Sequence, residues 1–343
     1  MAASPSKPLQ LFKQKEFKQI QVLAYDNMMK AVPSPSVAGA ATTSPANTPA
    51  VTNLHLGSMT RFLQNIPETF AAGIRPMART LAVPPKILVL ANAEGQTLNT
   101  FAPFPENSNG ALQSPLILPG NERILYVEVV ENTPHLKTVT TDFDPATIAS
   151  FGAPALEGWE PHLTPDNQFI IFRQGLTQLV RTDLDGQHPT LLLEDASLGR
   201  LVGVFSETAD QNYVIVYSKQ QDNRTTYWAA NVQGDTVIPQ AQPLDEHLWK
   251  FAEHLNIRGS RLLYEQEDTV SLVKHNDTWV IAGEKPETNS ATTTQTFFNI
   301  YLSDSAATAG HRITNTHPGS IPDDNRYPVW SPDGSKIVYV STE

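Results

Sequence analysis

A repeat of apolar runs that end in an aromatic residue constrains the fold of this chain more than any other feature. The repeated aromatic positions are Tyr126, Phe172, Tyr217, Tyr264 and Tyr339. Successive positions are 46, 45, 47 and 75 residues apart. A structural unit of about 45 residues that recurs along a chain is typical of β-propeller blades.

Paired prolines mark the start of three of these units. Each pair encloses three residues, and the pairs are Pro115/Pro119, Pro161/Pro165 and Pro328/Pro332. Two turn formers follow each pair, as in Gly120-Asn121, Asp166-Asn167 and Asp333-Gly334. These residue types tolerate the positive φ that a tight hairpin needs. The apolar runs that come next are predicted to be strands with both faces buried, as in stacked sheets.

A second turn signal recurs between the first ones. It consists of Asp or Asn, any residue, an acid or amide, and Gly, and it occurs at 92–95, 183–186 and 231–234. Residues 142–145 are a variant that ends in Pro. Each unit therefore has two hairpins and four strands, which is the composition of a propeller blade.

The two ends of this region complete one unit. Residues 327–341 supply a first hairpin without a second, and residues 86–101 supply a second hairpin without a first. Pairing the two would bury sheet edges that otherwise invite aggregation. We therefore predict an all-β fold over residues 85–343, a closed propeller of four-stranded blades. Counting hairpins gives five blades, and six is the alternative because of the long step after Tyr264.

The last repeat resembles a known family. Residues 327–339 carry a Pro, an aromatic and Ser331-Pro332-Asp333-Gly334 before an apolar run, and they resemble the TolB-type propeller repeat. Residues 163–167 are a variant of the same motif, and the resemblance covers about residues 85–343. It implies a propeller, usually of six blades, in the periplasm or at the cell surface. It also implies protein or peptide partners, bound at one face or in the central channel. Related propellers precede serine-peptidase domains.

Composition excludes several classes of function. The chain has 24 basic and 35 acidic residues, a net charge of −11, which argues against binding a phosphate backbone. It has no Cys, which excludes disulfides, thiolate catalysis and cysteine-ligated metals. No apolar run reaches the roughly 18 residues of a spanning helix, and the basic N-terminus has no apolar h-region of a signal peptide. We expect neither nucleic-acid binding nor a membrane span, and the compartment stays open.

The first 84 residues differ from the rest in composition. Residues 1–31 pair an apolar stripe with lysines, which predicts an amphipathic helix. Residues 32–52 are rich in Ala, Ser, Thr and Pro and are predicted to be an unfolded linker. Residues 53–84 predict a short helical or irregular lead-in, limited by Pro67 and Pro76. The helix is expected either to pack on the outside of the propeller or to dock on a partner or an anionic surface, with the linker as a tether.

The common catalytic and cofactor motifs are absent from the sequence. It has no Gly-x-Ser-x-Gly elbow, no phosphate loop, no His-Glu-x-x-His and no Gly-x-Gly-x-x-Gly. We therefore predict no cofactor and a non-enzymatic, protein-binding or scaffolding propeller, with membership of a larger assembly as a further expectation. The alternative is a hydrolase or lyase with its active site in the channel, which needs carboxylates or histidines that converge there.

Eight residues are candidates for binding a partner. They are Trp159, Glu160 and His162 in an innermost strand, His254 at the equivalent place in another repeat, Asp323, Asp324 and Arg326 on a connection between blades, and Trp279 in an insertion. The insertion spans about residues 268–296 and predicts an extra hairpin, 271–275 with 278–282, followed by a polar tract, 284–296. Packing roles for the tryptophans, structural roles for the histidines and solvated or ornamental loops are the alternatives. Convergence of Glu160, His162, His254 and Asp324 would favour the enzyme.

Overall fold

The computed structural model describes most of the predicted propeller. The described residues are 85–105, 108–205, 212–222, 224–239, 243–246, 249, 255–258, 261–275, 278–281, 292–303, 310–314 and 323–342. The predicted helix 1–31, the linker 32–52, the lead-in 53–84 and His254 lie outside the described residues. Residues 284–291 of the predicted polar tract lie outside them as well.

The described strands form five antiparallel sheets, which are the blades. The chain begins with the outer half of blade 5, β1 (Ile87–Asn92) and β2 (Thr97–Phe101). Blade 1 contains β3 (Ala111–Ile117), β4 (Arg123–Val130), β5 (Thr133–Thr140), a short 3-10 helix (Pro145–Thr147) and β6 (Ala149–Ser150). Blade 2 contains β7 (Trp159–Leu163), β8 (Phe169–Gln174), β9 (Gln178–Asp183) and β10 (Thr190–Glu194).

The remaining strands complete blades 3 to 5. Blade 3 contains β11 (Leu198–Phe205), β12 (Asn212–Gln221), β13 (Arg224–Gln233) and β14 (Thr236–Pro239). Blade 4 contains β15 (Leu255–Arg258), β16 (Arg261–His275), β17 (Thr278–Ile281), β18 (Thr292–Ser303) and β19 (His311–Arg312). Blade 5 ends with β20 (Asn325–Trp330) and β21 (Lys336–Ser341). The described contacts join the first strands of neighbouring blades at four of the five junctions, β20 to β3, β3 to β7, β7 to β11 and β15 to β20. These five strands, β3, β7, β11, β15 and β20, are therefore the innermost strands.

Blade 5 closes the ring from both ends of the propeller region. Strand β1 pairs antiparallel with β21 from Ile87–Ser341 to Asn92–Lys336. The sheet order is β2-β1-β21-β20. Among the described strands, the predictions of an all-β propeller, of five blades and of closure by the two end hairpins are confirmed. Four sheets have the predicted four strands, and the sheet of blade 4 has a fifth, β17.

Apolar clusters fill the spaces between neighbouring blades. Described clusters join blade 5 to blade 1, blade 1 to blade 2, blade 2 to blade 3 and blade 4 to blade 5. The five repeated aromatics are all less than 7% exposed; they are Tyr126, Phe172, Tyr217, Tyr264 and Tyr339. Each lies in the second strand of its blade, where both faces of the sheet are covered by neighbours. The periodicity of the sequence is therefore the periodicity of this buried layer.

The family-like motif encodes one hairpin turn. The Ser331 hydroxyl donates to Asp333 Oδ1 at 2.6 Å and accepts from the Lys336 N–H at 2.9 Å. The Thr164 hydroxyl makes the same two contacts in blade 2, with Asp166 Oδ1 at 2.6 Å and the Phe169 N–H at 3.0 Å. Side chains of this type stabilise turns by hydrogen-bonding the local backbone. The motif thus determines turn geometry.

Strand direction gives the ring two different faces. The motif face carries the turns between first and second strands and between third and fourth strands. The tip face carries the hairpins between second and third strands and the connections between blades. On the motif face, cations at one repeat position reach the next blade: Arg123 bonds to Asp185 at 3.1 Å, Arg261 to the Ala93 carbonyl at 2.5 Å and Lys336 to the Asn121 carbonyl at 3.4 Å.

An unusually long fourth blade accounts for the 75-residue step. Strand β16 continues to His275 and pairs with β17, from Leu272–Ile281 to His275–Thr278. This pairing corresponds to the extra hairpin expected from the sequence. Strand β18 begins at Thr292 and pairs with β16 as far as Val273. The end of the predicted polar tract, residues 292–296, is therefore strand and not loop, and the extension lies on the tip face.

Candidate functional site

Bulges in three innermost strands place unusual residues near the axis. Ser114, Glu160 and Tyr327 have φ values of 43°, 55° and 54°, and the repeated prolines follow them directly. The pairing register shifts at the same three places. A bulge redirects the side chain of the strand that contains it. Positive φ in a residue other than Gly is strained and is found preferentially at functional sites.

Glu160 connects blade 2 to blade 3. Its carboxylate accepts from Arg173 Nε at 3.3 Å, Arg200 Nε at 2.8 Å and the Leu201 N–H at 2.8 Å. The side chains of Glu160 and Arg173 are each only 12% exposed. Two guanidinium groups and a backbone donor therefore surround this carboxylate. Glu160 therefore holds two blades together.

Glu265 connects blade 4 to blade 5 in a similar way. It accepts from the Tyr327 N–H at 2.6 Å and lies 3.5 Å from Arg326 Nη1. The guanidinium of Arg326 stacks on Phe298, with Cζ 3.1 Å from the ring centroid. The side chains of Arg326 and Glu265 are 0% and 5% exposed. Arg326 lies within β20 and is buried, so the prediction that it lies on a connection between blades is wrong.

His162 is neutral at pH 7. Its pKa is lowered to about 4, mainly by burial and also by Arg200, while Glu160 and a hydrogen bond with Leu201 oppose this effect. Burial raises the pKa of Tyr327, which keeps its phenol protonated. The charges that act on Tyr327 come from four blades; they are Arg200, Glu265, Arg326 and Glu160. We call Glu160, Arg173, Arg200, Glu265, Arg326 and Tyr327 the axial cluster, because four blades converge there.

The other candidate residues lie elsewhere. Asp324 Oδ1 accepts from the Phe298 N–H at 2.8 Å, and the Asp324 N–H donates to Thr342 Oγ1 at 3.0 Å. The Asp323 carbonyl accepts from Asn325 Nδ2 at 2.9 Å. These contacts fix the connection that enters β20. Of the four residues whose convergence would favour an enzyme, the structure brings together Glu160 and His162.

The two candidate tryptophans belong to the tip face. Trp159 begins β7, packs against the core between blades 1 and 2, and lies under Arg173, whose Cζ is 6.0 Å from the ring. Trp279 lies in β17, and only its backbone is described. Sequence reasoning missed Arg173, Arg200, Glu265 and Tyr327. The signal that could have found Tyr327 is its place before a repeated proline, which it shares with Glu160.

The acidic turns of the motif face serve the backbone. Asp183 Oδ1 accepts from the Asp185 N–H at 3.1 Å and the Gln187 N–H at 2.7 Å. Asn92 Oδ1 makes the equivalent contacts in blade 5. Within the part of the chain that the structure describes, no three His, Asp or Glu side chains are grouped as metal ligands. No helix among the described residues has the length and hydropathy needed to cross a bilayer.

Acidification from pH 6.5 to 4 is expected to destabilise the fold through His162. Its folded pKa of about 4 lies below the ordinary 6.5, so the unfolded chain binds the proton first as the pH falls. The ring is partly exposed, and we expect a loss of about 2 kcal/mol, less than the full shift would give. Urea unfolding at neutral and acid pH measures this, with His162→Gln as the comparison. The same pH dependence in the variant would contradict the assignment.

Among known proteins, similarity to this chain is found at the level of solved structures. No family model and no curated protein matches the sequence. Among solved structures, the chain is similar to TolB from Acinetobacter baumannii, with 11% identity, 76% of this chain and 64% of that chain covered, and a TM-score of 0.33. It is also similar to oligogalacturonate lyase from Vibrio parahaemolyticus, with 8% identity, 66% of this chain and 88% of that chain covered, and a TM-score of 0.34. A third similar structure is dipeptidyl peptidase 4 from Porphyromonas gingivalis, with 11% identity, 77% of this chain and 50% of that chain covered, and a TM-score of 0.28.

The resemblance to TolB-type propellers that the last repeat predicts is thus found again among the solved structures. The chain spans less than two thirds of the Acinetobacter TolB and half of the peptidase. The propeller assignment itself rests on the five described sheets and on their closure.

Proposed function

We propose that this chain is a non-enzymatic, protein-binding propeller that uses its tip face. The observation that supports this is the pairing within the axial cluster. Glu160 bonds to Arg173, Arg200 and the Leu201 N–H, and Glu265 bonds to Arg326 and the Tyr327 N–H. A general base must reach the proton that it abstracts, and the oxygens of these two carboxylates are already occupied by donors of the protein. These groups hold the blades together instead.

The tip face has features that the closure of the ring does not require. The extension of β16, β17 and β18 lies there. Asp323 and Asp324 enter β20 on this face, Trp159 begins β7 there, and Trp279 lies in the extension. Loops and extensions on a rigid scaffold are common sites of binding. The proposal therefore places these four candidate residues on one binding surface.

The N-terminal segment completes the proposal. Residue 85 leads into β1, whose Ile87 pairs with Ser341 at the tip-face end of β21. A segment that joins the ring on its binding face is suited to act as a tether for a partner. Deleting residues 1–84 is expected to reduce partner capture, and unchanged capture would contradict a role of this arm in binding.

Site-specific crosslinking tests the proposed face. A photoreactive residue at position 176 samples the tip face, and one at position 94 samples the motif face; both positions are exposed. We expect partner adducts in extracts from position 176 and none from position 94. Adducts from position 94 only, or none from either position, would contradict the proposal. An activity that Glu160→Gln abolishes without loss of folding would favour the channel enzyme.

A further inference from the structure

We infer that the tips of blades 1 and 2 bind a protein segment that presents an apolar side chain flanked by lysine or arginine. This inference rests on the proposed function and names the chemistry of the partner. The surface consists of Val130, Trp159 and Leu176, which we call the tip patch. Glu131, Glu157 and Glu194 surround it and are exposed.

The apolar part of the surface is not explained by the fold. Leu176 is 72% exposed in the three-residue link between β8 and β9, and Val130 is 39% exposed at the end of β4. Gly175, with a φ of 58°, supplies the conformation that the β8–β9 link needs. Glu131 and Asn132, with φ values of 51° and 65°, do so for the β4–β5 turn. A polar residue at either apolar position would serve the turn, so these side chains are available for a contact.

The two tips and Trp159 belong to one continuous surface. The Gly158 N–H donates to the Pro134 carbonyl at 3.1 Å, which holds the connection between blades against the tip of blade 1. The next residue, Trp159, pairs with Arg173, and Arg173 Nη1 donates to the Gly175 carbonyl at 3.1 Å. Trp159 therefore lies between the two tips. An aromatic ring between exposed aliphatic side chains is common in the centre of protein interfaces.

The charge around the tip patch is negative. Glu157 is 58% exposed and lies 3.8 Å from His135. Glu131 is exposed next to Val130, and Glu194 accepts only from the neutral Gln178, at 3.1 Å, among the described contacts. The neighbouring cations have anionic partners: Arg173 bonds to Glu160, Lys137 to Glu128 and Lys219 to Asp195. Complementary charge at a rim steers association, so a basic flank fits this rim.

Other occupants fit less well. An anionic membrane or a nucleic acid would be repelled by the three glutamates. A second copy of this chain, which carries a net charge of −11, would add further repulsion. A basic segment with one large apolar residue satisfies both the patch and its rim.

Two synthetic peptides of ten residues test the inference. Both carry one central Leu and one Trp, and the flanking positions are Lys in one peptide and Glu in the other. Binding to the full chain is measured by fluorescence anisotropy at about 0.15 M and 0.5 M salt. We expect the Lys peptide to bind at least about tenfold more tightly at the lower salt, and Leu176→Ser to weaken it about tenfold. Glu131→Gln together with Glu157→Gln is expected to weaken it several-fold.

Matched variants control for the overall charge and for folding. Leu98→Ser changes a leucine that is 55% exposed in β2 of blade 5, and Glu94→Gln removes an exposed acid on the motif face. Neither is expected to change the affinity of the Lys peptide. Equal binding of the two peptides, or equal effects of Leu176→Ser and Leu98→Ser, would overturn the inference. If position 176 still crosslinks a partner in extracts, the proposed function stands and only the partner chemistry fails.

Discussion

Glu265→Ala is expected to lower the free energy of unfolding by about 3–5 kcal/mol, because it leaves a buried guanidinium without its carboxylate. Arg326 is fully buried, and Glu265 is the only acidic partner that the described residues give it. The same substitution removes the acceptor of the Tyr327 N–H, a 2.6 Å contact. An unpaired buried donor adds its own cost. Chemical denaturation at pH 7 measures the change in unfolding free energy.

Two further variants serve as controls for Glu265→Ala. Asp185→Ala removes an ion pair whose partners are 42% and 75% exposed, and it is expected to cost no more than about 1 kcal/mol. The double variant Glu265→Leu with Arg326→Met replaces the buried pair by apolar side chains, and it is expected to recover at least half of the loss. A single Glu265→Ala variant as stable as Asp185→Ala would show that Arg326 finds another partner.

Val340→Asp is expected to cost more than about 4 kcal/mol and to prevent closure of the ring. Val340 is 0% exposed in the core between blades 5 and 1, and it pairs with Leu88 across the closing strands. Its register partner in β20 is Arg326, whose guanidinium already pairs with Glu265. Loss of the near-UV circular dichroism signal and an increased hydrodynamic radius would report the open ring.

Leu98→Asp is the matched control for the closing strand. It introduces the same side chain into the same sheet, at a position that is 55% exposed in the outermost strand. The expected change in unfolding free energy is within about 0.5 kcal/mol. If both aspartates destabilise the chain equally, the contact between β1 and β21 contributes little to stability.

The fold could be predicted because its information is local and repeated. Each buried aromatic lies in a second strand, and each hairpin has its own turn residues. A clear repeat such as residues 327–339 therefore allows the less regular repeats to be aligned with it. The length of blade 4 was harder to predict. Thr292–Thr296 looks like a polar loop by composition, yet threonine is β-branched and favours strands, and β18 begins there.

The axial cluster could not be predicted because its contacts are distant in sequence. Glu265 and Arg326 are 61 residues apart, and Glu160 and Arg200 are 40 residues apart. An Asp-Asp-Asn-Arg run favours a solvated loop unless the buried partner of its arginine is known. The tip patch could not be predicted because the sequence does not show whether an apolar side chain is buried or exposed. Leu176 resembles a core residue in the sequence, and only the tertiary structure shows that nothing among the described residues covers it.

The pairing of β1 with β21 also affects how the protein is made. During synthesis β1 and β2 emerge before every other strand of the propeller, while β20 and β21 emerge last. The edge of β1 that pairs with β21 therefore stays unpaired until the four other blades have been translated. Such an edge is a template for pairing with the wrong strand. The folding of this blade is therefore expected to depend on the rate of translation, and on chaperones that cover unpaired strands, more than the folding of the four blades that form from consecutive residues.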